Sequence, residues 1–198
     1  MSVNGVNMAS VHGVKIQRDL IKNIVKNDDK TTVVFEDGTT VSYGAQKTED
    51  ASIYKKDDGF IVFDRLNEAS IRGTDKDDKY KIKLSSDLRV DTGDGNDDIE
   101  VYAVRAISIN SGSGEDQVMI HCIKDGKVFN AESVIPFNSG RVHIFGNNKT
   151  TRVNSCSYAD NRADGPIGFY PSLKDSIIEG VPKENVNVLY LENVEIRN

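Results

Sequence analysis

The chain has 198 residues, 37% of them hydrophobic and 28% charged, which is ordinary globular usage and too apolar for a disordered tail. Lys and Arg number 25 against 31 Asp and Glu, a net charge of -6 that argues against a nucleic-acid or anionic-membrane binder. No apolar run reaches the ~20 residues of a membrane span, residues 1–10 carry no Sec signal pattern, and two cysteines make no disulfide framework.

Taken from the N-terminus, residues 14–27 place Ile16, Leu20, Ile21, Ile24 and Val25 at helical spacing, which predicts a helix capping one end of the molecule. The same stretch also reads as an irregular first coil, because Val14 and Ile16 stand 19 residues before Val33 and Phe35. Val33/Phe35, Val41/Tyr43 and Ala51/Ile53 then alternate with the period of a strand.

A strict internal repeat follows. Gly/Asp-rich stretches begin at Gly73, Thr92 and Ser111, two steps of 19 residues, and the apolar positions keep the same step. Ile61, Tyr80, Ile99 and Val118 form one column, and Phe63, Ile82, Val101 and Ile120 a second. Ala69, Leu88 and Ile107 form a third, and Ile71, Val90 and Ile109 a fourth. Each repeat therefore holds two short strands, and stacking equal columns predicts a parallel β-solenoid of about 19 residues per coil. All four prolines lie in the last third, so 121–140 and 154–185 read as irregular insertions or as a C-terminal lobe beside the coils, and Val186/Val188 with Val194/Ile196 as a last coil. The expected organisation is one domain: a cap over 1–30, coils over 31–153, the insertion, and a last coil over 186–198.

Thr92 to Glu100, with Gly93, Gly95, Asp97 and Ile99, and Ser111 to Met119, with Gly112, Gly114, Asp116 and Val118, resemble the repeats-in-toxin (hemolysin-type calcium-binding) nonapeptide. Gly73, Asp78 and Tyr80 match it more loosely, with Lys76 at a glycine position, and the likeness covers about 50 of the 198 residues. It implies one or two Ca²⁺ ions held between adjacent coils by loop carbonyls and by Asp78, Asp97 and Asp116. The chemistry agrees independently, since stacked carboxylates one strand spacing apart repel unless a cation lies between them, and Ca²⁺ takes oxygen ligands. Gly and Asp are also ordinary turn residues, and the loops read equally as bare corners with no ion.

Other residues admit weaker assignments. Cys122 falls in the column Leu84, Ala103, Cys122, expected to be a small interior position with an inert thiol. No spacing supports pairing Cys156 with His143, and His12, His121 and His143 form no metal-ligand cluster. Parallel β-helices also resemble pectate lyases. Arg105, Asp98, Glu100 and Tyr102 would then line an outer groove, although no motif of those enzymes is present. Tyr158, Arg162, Phe169 and Tyr170, within the insertion, are candidates for binding a partner. The first ten residues resemble the disordered export signals of bacterial needle-type secretion. The expectation is a non-catalytic, toxin- or effector-like virulence protein, secreted without a Sec signal or else cytoplasmic. Its partner would be a protein or carbohydrate, with no nucleic acid and no membrane span. A lyase-like or sugar-binding β-helix and an ion-free structural solenoid are the alternatives.

Overall fold

The computed structural model describes residues 2–3, 6–27, 29–46, 50–137, 139–146, 151–154, 172–188 and 190–197. Strands β1 (Ser2–Val3), β2 (Val6–Val11) and β3 (Val14–Gln17) pair antiparallel in succession. A 3-10 turn at Arg18–Leu20 leads into β4 (Ile21–Lys26), which pairs antiparallel with β5 (Thr31–Phe35), as β5 does with β6 (Thr40–Tyr43). Residues 14–27 are therefore two strands and a tight turn, not the expected helix. The turn and a bulge between Ile21 and Asn23 change the phase of the apolar residues, so the sum of two strand patterns imitates a helical stripe. Val14, Ile16, Ile21, Ile24 and Val25 are all β-branched, and that preference prevails.

β7 (Ser52–Lys55) lies parallel to β3 and antiparallel to β8 (Ile61–Asp64), while β9 (Ala69–Arg72) lies antiparallel to β6. So Val33/Phe35, Val41/Tyr43 and Ala51/Ile53 alternate as strands must, but in hairpins rather than further coils.

Beyond β9 every pairing among the described residues is parallel, and the chain winds in coils. One strand of each coil extends sheet 1, which begins with β1, β2, β3, β7 and β8, and another extends sheet 2, which begins with β4, β5, β6 and β9. β10 (Lys79–Lys83) and β11 (Leu88–Asp91) make one coil, and β12 (Asp98–Tyr102) and β13 (Ala106–Asn110) the next. β14 (Gln117–His121) with β15 (Asp125–Phe129), and β16 (Ser133–Phe137) with β17 (Arg141–Phe145), follow. The last coils hold β18 (Arg152–Asn154), β19 (Ser172–Lys174) and β20 (Ile177–Glu179), then β21 (Val186–Asn187), β22 (Tyr190–Glu192) and β23 (Glu195–Arg197). Of the stretches expected to be insertions, 121–137 and 177–179 thus continue the ladders, while 172–174 pair with β22 in a short third sheet.

The chain is a parallel β-solenoid of about 6 turns with about 19 residues per coil. Registers Tyr80↔Ile99↔Val118 and Ile82↔Val101↔Ile120 set the expected columns, and these six side chains are fully buried. Each such Ile or Val contributes about 1.5–3 kcal/mol, and only against the coils above and below it. The step falls to 16 where Gln117 meets Ser133 and Asp125 meets Arg141. The six-residue link 111–116 has there become a three-residue link, 130–132.

Candidate functional site

The Gly/Asp links 73–78, 92–97 and 111–116 all fall on one edge, each passing from sheet 2 back to sheet 1. They stack in direct backbone contact. Ser113 N–H donates to the Gly93 carbonyl at 3.1 Å, and Gly95 N–H donates to the Ser113 carbonyl at 2.9 Å. Gly93, Gly95, Gly112 and Gly114 have φ of 97°, 121°, 80° and 139°, where L side chains are strained. A Cβ on Gly112 would overlap the Gly93 carbonyl oxygen, and one on Gly114 that of Gly95.

Asp78, Asp97 and Asp116 turn inward from this edge and are 7%, 1% and 1% exposed. They form a ladder: Asp78 N–H donates to Asp97 Oδ1 at 2.9 Å, and Asp97 N–H to Asp116 Oδ1 at 3.0 Å. One residue earlier a second ladder runs in the opposite sense. Asn96 N–H donates to Asp77 Oδ1 and Glu115 N–H to Asn96 Oδ1, both at 2.9 Å. These bonds explain Asp and Asn at the repeat positions through their acceptor oxygens.

The inner ladder leaves two atoms over. Asp78 Oδ2 accepts from Thr74 N–H at 2.7 Å, but Asp97 Oδ2 and Asp116 Oδ2 are buried with no hydrogen-bond partner. Burial holds all three carboxyls above the ordinary aspartate range. Backbone N–H groups offset this in part, that of Asp78 at Asp97 and that of Asp97 at Asp116. A proton or an oxygen-seeking cation would relieve these atoms. Among the described residues, no three His, Cys, Asp or Glu side chains converge on one point that could hold an ion. The edge offers one inward carboxylate per coil.

The opposite edge corrects the Cys122 assignment. Arg65, Leu84, Ala103 and Cys122 occupy one column with φ of 56°, 50°, 51° and 53°, and they point outward; Leu84 is 51% exposed and Cys122 is exposed. The left-handed residue rotates the chain just before its core position, so the interior column is the following residue: Leu66, Ser85, Val104 and Ile123. Ser85 replaces an aliphatic there because Oγ donates to the Lys83 carbonyl at 2.8 Å and accepts from Leu66 N–H at 3.1 Å.

Asp98, Glu100 and Tyr102 face outward on sheet 1, as the alternation required. They do not assemble with Arg105 as a groove. Glu100 is held by Lys81 at 2.6 Å and accepts from Tyr102 Oη at 2.9 Å, while Arg105 lies at the corner against Asp87. Lys83 is held by Asp64 at 3.4 Å. The histidines are separate: His12 bonds Thr31, His121 stacks on Tyr102, and His143 pairs with Glu179 at 3.0 Å. Cys156, Tyr158, Arg162, Phe169 and Tyr170 lie outside the described residues.

Among the described residues no helix is long and apolar enough to cross a membrane. What the fold and edge define is a class, the parallel β-solenoid with one Gly/Asp edge. Comparison with family models, with curated proteins and with solved structures returned no match.

Proposed function

We propose that this solenoid is a non-catalytic binding protein whose Gly/Asp edge takes up one or two Ca²⁺ ions and so stiffens the surface that meets its partner. What supports this is the pair of buried, unpartnered oxygens Asp97 Oδ2 and Asp116 Oδ2 on successive coils. An unsatisfied buried acceptor costs about 1–3 kcal/mol, more when charged, and a hard cation ligated by oxygen removes that cost. Asp97 and Asp116 would hold the better site, Asp78 and Asp97 the second. Gly93, Gly95, Gly112 and Gly114 keep the loops free of side chains around it. Because metal-binding free energy becomes folding free energy, the rod would be loose where calcium is scarce and firm outside a cell. That behaviour suits a secreted, toxin- or effector-like protein.

One observation favours an ion-free structural solenoid instead. The Oδ1 ladder and the Ser113 bonds to Gly93 and Gly95 already close the loops without a cation. A thermal melt in EDTA, in CaCl₂ and in MgCl₂ separates the two. Calcium at 100 times its dissociation constant adds ~2.7 kcal/mol, a rise of several degrees for a domain of this size. The rise is expected with calcium alone and is lost in Asp97→Asn/Asp116→Asn. An unchanged melting temperature in calcium would leave the ion-free solenoid.

A further inference from the structure

On the outer face of sheet 2, Arg89, Ser108, Lys127 and His143 occupy one column, each in register with the next. They form one wall of a groove of about 600 Å³ that runs along the stack at the left-handed corner, opposite the Gly/Asp edge. The carboxylates of the other wall are already held: Asp87 by Arg105, Asp125 by Arg141 at 2.6 Å, and Asp175 by the Asn193 amide at 3.0 Å. Arg89 and Lys127 are exposed, and no ion pair engages either among the described residues. Past the column lie two half-buried rings, Phe129 and Phe145, stacked at 4.4 Å, with His143 against Phe145 at 3.7 Å.

We propose that this groove binds a linear polysaccharide carrying one carboxylate per disaccharide, laid along the stack across the strands. Arg89 and Lys127 are two strand spacings apart, about 9.6 Å, with the neutral Ser108 between them. That interval suits an extended chain in which every second sugar is acidic: carboxylates meet the guanidinium and ammonium, and the intervening sugar meets a hydroxyl. The Phe129–Phe145 platform offers an apolar surface to the C–H faces of sugar rings. A duplex nucleic acid brings a charge every ~1.7 Å of axis, far denser than the two cations of this column in a chain with net charge -6. The column rides on parallel strands already fixed by the core, so little ordering accompanies binding. This goes beyond the calcium assignment and does not depend on it.

The test is calorimetric titration of the full chain with a hyaluronan octasaccharide at low salt, in EDTA and again in CaCl₂. Saturable binding is expected in both buffers, weakened at least tenfold in Arg89→Ala/Lys127→Ala. Ser108→Glu, which sets a carboxylate between the two cations, should weaken it comparably. Lys22→Ala/Lys26→Ala, on the exposed strand β4, should leave it unchanged. No binding, or undiminished binding by the Arg89/Lys127 variant, overturns the proposal. So does equal affinity for an oligouronate charged on every sugar or for a single-stranded oligonucleotide, since either result indicates unselective ion exchange. Binding without a calcium-dependent melt defeats only the calcium assignment, and a calcium-dependent melt without binding defeats only this one.

Discussion

The two edges of the solenoid turn the same chain by opposite means. At the Gly/Asp edge the backbone of one coil lies where a side chain of the next would stand, so the neighbour dictates the residue. At the other edge a left-handed residue turns the chain and points to solvent, so Arg65, Leu84, Ala103 and Cys122 serve alike at φ of 50–56°. One edge is constrained by contact between coils, the other only by the local strain of a positive φ.

The sharpest way to break this contrast is Gly112→Ala. Strain at φ 80° and overlap with the Gly93 carbonyl should together cost about 3 kcal/mol in urea unfolding. A loss no greater than that of Leu84→Ala, expected near zero, would erase the distinction. Next comes the ladder. Asp116→Ala removes the acceptor of Asp97 N–H and should cost about 1–3 kcal/mol, whereas Asp116→Asn keeps an acceptor and should cost clearly less.

The same carboxyls set a pH dependence. Burial raises Asp97 and Asp116, so the folded chain binds their protons at a higher pH than the unfolded chain, whose aspartates titrate near 3.8. Their contribution is complete below that value and is lost as pH rises through the folded-state values. In EDTA, lowering the pH from neutral should therefore raise the melting temperature of the native chain relative to Asp97→Asn/Asp116→Asn. Parallel profiles would mean the carboxyls are not desolvated. The smallest effect belongs to the open corner, where Leu84→Gly or Cys122→Gly relieves a left-handed side chain and should gain up to about 1 kcal/mol. A loss at either site would show that those side chains hold something.

Much of the fold is legible in the sequence because a solenoid repeats its environment: Tyr80, Ile99 and Val118 meet the same neighbours, so one period exposes them all. The phase at the corner is less legible. Leu84, Ala103 and Cys122 look like an apolar column, but the same column holds Arg65 one coil earlier, a sign that it faces water. The hairpins of residues 14–55 were hidden because antiparallel and parallel strands share one alternation. The Gly/Asp edge was visible as a motif, yet the reason for its aspartates, the ladder from side chain to the next backbone, arises only in the folded chain. So does the Arg89–Lys127 column, whose members are 38 residues apart in sequence and two strands apart in space.

The opposed ladders make neighbouring units interchangeable. Within residues 73–116 each unit offers acceptors to the one before and donors to the one after, or the reverse, in the same 19-residue frame. A tandem copy of residues 92–110 would meet on both sides the partners it left, and the rod would grow by one strand spacing, about 4.8 Å. Such a molecule can change its reach by copy number, with no new core to invent.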